Sequence, residues 1–297
     1  MAVRIVGAGI ACLDYIVAAP QVPWGDTAHV SAFCIQGGGL VATALVACAR
    51  LGAETTLYSL LGDDEITASI LAELHEENVG TQGVRKIPGG ASPFSFIHVN
   101  EQDGERTIFH RPGQNLTWPA DERFPHLENA DAMLVDHCYP DLALAAVNEA
   151  CARNVPVIAD TEPEEKHHAW LEGVNVLIAP HHFADRLGFT GNPEKALAAI
   201  HAFGPDIAVI TLGSKGWVCS DGTNITFGKA FPVNVVDTLG AGDVFHGAFA
   251  FGWAQHWDAP RCCEFASAVA ALKCTKPGGR AGIPDLATTL EFIEKNK

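Results

Sequence analysis

The sequence predicts an α/β fold: a mostly parallel central sheet with helices on both faces and a few further strands set apart from it. Three observations lead there. From residue 131 onward short apolar runs alternate with helix-like segments: Ala132 to Val135, 140 to 153, Pro156 to Asp160, Val174 to Ala179, 193 to 202 and Ile207 to Leu212. Such β-α-β-α alternation builds parallel sheets covered on both sides. Residues 15–36 lack helical periodicity, and residues 92–113 hold two strand-like runs, Pro93 to Asn100 and Arg106 to Arg111. Between those runs lies Gln102-Asp103-Gly104-Glu105, whose Asp-Gly pair favours a hairpin turn. No linker rich in Pro, Gly or Ser interrupts the 297 residues, which predicts one domain over 1–297.

Composition narrows the partners. Hydrophobic residues make up 48% and charged residues 18%, a globular balance. The formal net charge of −16 argues against nucleic acid or an anionic membrane surface, since both need a basic patch. The 9 cysteines are odd in number, form no C-x-x-C and sit mostly in apolar runs. They read as reduced thiols of a cytoplasmic protein. No apolar span is long enough for a membrane helix, and the N-terminus lacks a signal-like h-region.

In chain order, Val3 to Gly9 is an apolar run bounded by glycines, as in a buried strand. Gly7-Ala8-Gly9 invites a dinucleotide-binding reading, but the third glycine of that pattern falls on Cys12. Asp14 is expected at the carboxyl end of this strand, where α/β sheets place ligand contacts. Ala28 to Phe33 reads as half-buried strand. Gly37-Gly38-Gly39 then opens an Ala-rich helix, Val41 to Leu51, with Gly52 as its stop. A strand from Thr56 to Leu61 precedes Gly62-Asp63-Asp64 and a helix reaching Asn78. Arg106, His110 and Arg111 are a local basic cluster, and His137 follows the strand Met133 to Val135. Thr211-Leu212-Gly213-Ser214-Lys215-Gly216 runs from a strand into a Gly-rich turn. His181-His182 lacks acidic or thiolate partners at fixed spacing, which argues against a transition-metal site.

The stretch with the most chemistry is Val236-Asp237-Thr238-Leu239-Gly240-Ala241-Gly242-Asp243-Val244-Phe245-His246-Gly247. Gly240, Ala241 and Gly242 precede an apolar helical run to Trp253. The first N–H groups of a helix lack intrahelical partners and carry the positive end of the macrodipole, so small residues there form an anion cradle. Asp243 in the same turn is placed to take a proton from a hydroxyl attacking a bound phosphate. Beyond it, Phe265 to Cys274 is a second small-residue helix, ended by Lys276-Pro277-Gly278-Gly279-Arg280.

Asp-Thr-Leu-Gly-Ala-Gly-Asp (237–243) resembles the C-terminal signature of the ribokinase-like (PfkB) carbohydrate kinases. Ala49-Arg50-Leu51-Gly52, Gly62-Asp63-Asp64 and Thr211-Leu212-Gly213 are similar to further family motifs in the same order. The run Ala270 to Pro284 is similar to the sulfofructose kinase branch. The resemblance implies a ribokinase-like fold in which residues of about 15–36 and 92–113 form a β lid over a sugar. It implies phosphorylation of a primary hydroxyl of a sugar or sugar derivative, with ATP and Mg²⁺. Asp243 would be the base and Gly240, Ala241 and Gly242 the anion hole. Asp14, Gly38, Gly39 and Thr43 would contact the sugar, with His110, Arg111 and His137 as further candidates. Thr211, Gly213, Gly216, Asp237, Thr238, Ala271 and Gly278 would flank the nucleotide. A homodimer through the exposed lid edge is also expected.

Two positions depart from the family pattern. Thr43 stands where the family has Asn. Pro180-His181-His182-Phe183-Ala184 replaces the usual Asn-x-x-Glu, which turns the metal expectation to Glu162 or Asp160. The alternatives are a nucleoside kinase on the same scaffold and a non-catalytic regulatory relative.

Overall fold

The computed structural model describes residues 2–22, 24–102, 106–161 and 168–297. The first half of the chain forms β1 (Arg4–Ala8), β2 (Cys12–Ala19), β3 (Ala32–Gly38), α1 (Leu40–Arg50), β4 (Glu54–Gly62), α2 (Glu65–Glu76), β5 (Val79–Ile87), β6 (Phe94–Asn100) and β7 (Arg106–Arg111). Next come β8 (Ala132–Asp136), α3 (Pro140–Ala152), β9 (Val157–Asp160), α4 (His168–Leu171), β10 (Val176–Pro180), α5 (His181–Arg186) and α6 (Pro193–His201). The chain closes with β11 (Ile207–Thr211), β12 (Trp217–Ser220), β13 (Ile225–Gly228), α7 (Ala241–Ala254), α8 (Ala259–Lys273) and α9 (Leu286–Lys295).

Two sheets result. The larger has the order β13-β12-β11-β10-β9-β8-β1-β4-β5, parallel from β5 through to β11 and antiparallel only at β12 and β13. The smaller, β3-β2-β6-β7, is a mixed sheet with β2 and β6 parallel at its centre. One layer of core packs α1, α2, α7 and α8 on one face of the large sheet, through Leu45, Phe249 and Val269 among others. A second layer packs α3, α5 and α6 on the opposite face, around Leu142, Phe183 and Leu197. Both faces are therefore buried, which is why its strands read as continuous apolar runs.

Local sequence explains where the helices start. Asp64 caps α2 through Thr67 N (3.1 Å), Asp258 caps α8 through Arg261 N (2.8 Å) and Asp285 caps α9 through Thr288 N (2.8 Å). The helix α7 is apolar nearly all round, from Val244 to Phe251, and lies between α1 and α8; a helix with no polar face needs burial on every side.

Three expectations are corrected. The first strand stops at Ala8, and Asp14 lies inside β2 of the small sheet, because the chain turns at once where Asp136 accepts from Ile10 N (2.8 Å). The small sheet accordingly begins at Cys12, and residues 28–30 lie outside β3, which starts at Ala32. The Asp103-Gly104 turn falls outside the described residues. Among the described residues no helix is long and apolar enough to cross a membrane.

The order of the large sheet reverses at β1, whose neighbours are β4 on one side and β8 on the other. Such a reversal opens a crevice at the carboxyl ends of the strands, the usual ligand site of open α/β sheets. The helix α7 reaches this crevice by crossing α1 closely, and a Cβ on Gly247 would collide with the carbonyl of Ala44. Gly247→Ala is therefore expected to destabilise by about 1–3 kcal/mol, although the same change inside an unconstrained helix stabilises by about 1 kcal/mol. Thermal unfolding of the variant checks the sign: a rise in Tm would show that the crossing relaxes freely.

Candidate active site

The turn before α7 is held from behind. Asp237 is buried, and its carboxylate accepts from Leu239 N (2.8 Å) and from Gly278 N (2.8 Å). Its carbonyl accepts from the ammonium of Lys273 (3.0 Å), a fully buried lysine whose pKa burial lowers. Gly240 caps α7 in the left-handed region at φ 72°, which the absence of a side chain permits. The Ala241 N–H donates to the Thr238 carbonyl (3.2 Å), so one of the three expected anion-binding amides is already engaged in closing the turn. A Cβ on Gly242 would meet nothing within 4 Å, so the space above the first turn of α7 admits an anion.

Asp243 stands in that first turn. Burial pushes its carboxyl up to about 7, and the neighbouring Asp160 charge pushes the same way, while His246 and Arg106 oppose them. His246, one turn on, places Nδ1 2.8 Å from the Gly242 carbonyl and Nε2 3.1 Å from the Ile178 carbonyl. Its Nδ1 also lies 3.2 Å from Oδ2 of Asp160, the last residue of β9. Burial lowers the pKa of His246 against the pull of the two carbonyls. Asp160 is itself raised by burial and by the charge of Asp136. Asp136 ends β8 and uses its buried carboxylate to receive Ile10 N (2.8 Å), Cys138 N (2.9 Å) and Val41 N (3.4 Å).

Facing this group is the small sheet. Strand pairing sets Gln36 opposite Asp14, Asp14 opposite Ser95 and Ser95 opposite His110. Directly paired residues share a face, so an amide, a carboxylate, a hydroxyl and an imidazole run in one row across four strands. Ser95 Oγ lies 3.2 Å from His110 Nδ1, and Cys12 Sγ donates to Asp14 (3.4 Å). Burial raises the Asp14 carboxyl, opposed by Cys12, Ser95, Arg280 and His110. Burial lowers the His110 imidazole. The next row inward is apolar: Ile16 and Ile97 pair and, with Val99, pack on Leu239 of the turn. The small sheet is thus a lid whose inner face closes on the turn before α7.

The expected sugar contacts gather here in part. Gly38 lies so close to Asp14 that a Cβ would strike its carboxylate, and Gly39 precedes α1. Thr43 is buried, and its hydroxyl accepts from Nε of Arg280 (3.3 Å). Arg111 is not drawn in. It neighbours His110 in β7 and so points to the outer face, where its guanidinium lies 4.5 Å over the Phe94 ring and donates to Ser92 O (2.6 Å). Arg106, on the inner face, donates to Thr238 Oγ1 (2.9 Å). His137 follows Asp136 in the turn after β8.

Of the expected nucleotide contacts, Thr211 ends β11 and Gly213 to Gly216 form the turn into β12, closed by Leu212 N on Gly216 O (2.8 Å). Ala271 lies near the end of α8. Asp237 and Gly278 bond each other, and a Cβ on Gly278 would strike Gln36 of the lid, so these two residues tie the turn to the sugar side. Glu162 falls outside the described residues. Among the described residues no group of three or more His, Cys, Asp or Glu is placed to hold a metal, and the rings of His181 and His182 merely meet edge to face at 5.8 Å.

Sequence reasoning missed Gln36, Ser95, Asp136, Lys273 and Arg280, and offered Asp160 only as an alternative to Glu162 for the metal. Only Arg280 left a trace, as a cation ending the Gly278-Gly279 turn. Gln36 and Ser95 depend on strand register, which no local pattern reveals, and Lys273 on how the end of α8 packs against the turn before α7.

A family model for the pfkB family of carbohydrate kinases matches residues 4–286. The ribokinase of Bacillus subtilis is 28% identical over 281 residues, covering 93% of this chain and 94% of its own length. A solved structure from Agrobacterium tumefaciens, 30% identical, superposes with a TM-score of 0.91 over 99% of this chain and 98% of that one. Arabidopsis thaliana ribokinase, complexed with ribose and ATP, is 25% identical with a TM-score of 0.86 over 99% of both chains. With the family model spanning nearly the whole chain, and the turn before α7 and the lid facing each other across one crevice, the chain belongs to the pfkB family of carbohydrate kinases.

Proposed function

We propose that a single kinase domain over 1–297 transfers the γ-phosphoryl group of ATP to a primary hydroxyl of a sugar or sugar derivative bound under the lid. The observation that carries this is the half-buried carboxylate of Asp243 in the first turn of α7, beside an open anion cradle and opposite the polar row of the lid. The sugar hydroxyl oxygen bonds to the γ-phosphorus, its proton passes to Asp243, and the bond from phosphorus to the ADP oxygen breaks. The Gly240 and Gly242 amides and the α7 dipole stabilise the charge that builds on the phosphoryl oxygens, while Ala241 keeps the turn closed. Arg106 reaches the same place through Thr238. Ile16, Ile97 and Leu239 keep water from the phosphate.

Mg²⁺ fits the site as a companion of ATP. The Oδ2 of Asp160 is buried at the crevice without a hydrogen bond among the described residues, and this carboxylate would hold the ion together with the phosphates. When bound, Mg²⁺ supplies charge neutralisation on the phosphates. Thr211, Gly213 and Gly216 form the turn offered to the nucleotide, next to Ala271 of α8. The outer face of the lid exposes Phe33, Ile35, Phe96 and Phe109, each about half accessible, and supports a homodimer through the lid. All nine cysteines are free thiols, which suits a cytoplasmic setting.

Asp243→Asn is expected to keep the fold and lose about 10²- to 10⁴-fold in turnover, read as ADP release across a panel of sugars and nucleosides. Near wild-type turnover would remove Asp243 from the mechanism. Because Asp243 is raised to about 7 and acts only when ionised, kcat/KM should fall about tenfold per pH unit below that value and level off above it. A flat profile between pH 5 and 8 would contradict that role. Sedimentation should give twice the 31.5 kDa chain mass for the native protein and the single mass for Phe96→Glu; a native protein that sediments singly removes the dimer.

A further inference from the structure

Deepening the kinase reading, and resting on it, the corner where the lid meets the turn after α8 says which substrates the pocket takes. Gln36 closes the polar row there. Its Nε2 is buried with no hydrogen-bond partner among the described residues, one strand away from the carboxylate of Asp14. A buried donor beside a buried acceptor fits a group that both gives and takes hydrogen bonds.

The cations around the pocket decide the charge of that group. Arg280 is 3% exposed and fully committed in direction. It donates to Glu73 (3.0 Å), to the Gly38 carbonyl (3.1 Å) and to Thr43 Oγ1 (3.3 Å). Glu73 neutralises it and also receives the Gly37 N–H. Arg280 therefore fixes the 37–39 turn and partly offsets Asp14. Arg111 points to the outer face, over Phe94 and on Ser92 O, Arg106 stands at the phosphoryl end, and burial draws the His110 imidazole toward its neutral form. An acid group at the Gln36 corner would face the carboxylates of Asp14 and Glu73 with one already paired guanidinium between them.

We propose that Gln36 and Asp14 read two neighbouring uncharged hydroxyls at the end of the sugar remote from the phosphoryl-accepting oxygen. Gln36 donates to one oxygen and Asp14 accepts from the other, with Arg280 as the positioning residue beneath them. The substrate class is a neutral sugar, in preference to its carboxylate, sulfonate or phosphate derivatives.

The test uses pairs that keep a primary hydroxyl and differ in charge at the remote end, with ATP and Mg²⁺: glucose and gluconate, ribose and ribose 1-phosphate, fructose and its 6-sulfonate, each followed by ADP release. The best neutral sugar should exceed the best charged one by about 100-fold or more in kcat/KM, the scale of leaving a charge badly paired. A charged sugar that is the better substrate overturns the inference while leaving the kinase reading intact. Background ADP release with every member defeats the kinase reading and this inference with it. Gln36→Met, which keeps the length of the side chain, should raise the sugar KM about tenfold, the scale of one hydrogen bond. The KM for ATP should stay within about twofold. The deoxy sugar lacking the matched hydroxyl should show the same loss, with no further loss in the variant. An equal rise in both KM values would mean that Gln36 only packs against Gly278, and would refute its role in recognition.

Discussion

The position of α7 governs the rest of this molecule. It is apolar on almost every side, so it is stable only when walled in by α1, α8 and the sheet. The contact that admits it is the crossing of Gly247 over the Ala44 carbonyl, where one backbone lies on another. With that crossing in place, the N-terminus of the helix lands at the crevice between β1 and β8. Its partial positive charge then sits where a phosphate can reach it. The same packing takes part of the water from Asp243, and a carboxylate with less water holds its proton more tightly.

That arrangement concentrates acid groups. Asp136, Asp160 and Asp243 come from the ends of β8 and β9 and the start of α7, and each is raised by burial first. Their stabilising partners differ in kind. Asp136 is satisfied by three backbone N–H groups and is structural. Among the described residues Asp160 meets the His246 ring, and Asp243 shares the crevice with the lid cation Arg106. Three carboxylates in one environment thus differ in what each has to bond with. Lys273 answers from behind the turn, its ammonium on the carbonyl of Asp237.

How much of this was legible follows from the range of each interaction. The parallel sheet, the helix starts and the turn before α7 are encoded within a dozen residues, by apolar period, capping aspartates and glycines. The basic cluster of Arg106, His110 and Arg111 was also visible, but its sorting was not. Adjacent strand residues point to opposite faces, so His110 and Arg106 turn inward while Arg111 turns out, and that depends on a register which the sequence leaves open. Asp14 was found by its place after a strand, yet it belongs to a different strand from the one expected. Arg280 acts on Thr43 and Gly38 across 237 and 242 residues of chain, a distance that no motif spans. The threonine at position 43 becomes intelligible only there, as the acceptor for that guanidinium.

The cross-strand row on the lid has a consequence for how such a pocket changes over time. Gln36, Asp14, Ser95 and His110 come from four separate strands and share only their register. A one-residue insertion or deletion in β6 would carry Ser95 to the outer face and bring Phe94 or Phe96 inward, replacing a hydroxyl by an aromatic ring. Length variation within these strands is therefore closed to gradual adjustment of the substrate. Point replacement at the row, and length changes in the loops beyond it, remain as the routes by which a lineage can shift from one sugar to another while the helix and its carboxylate stay fixed.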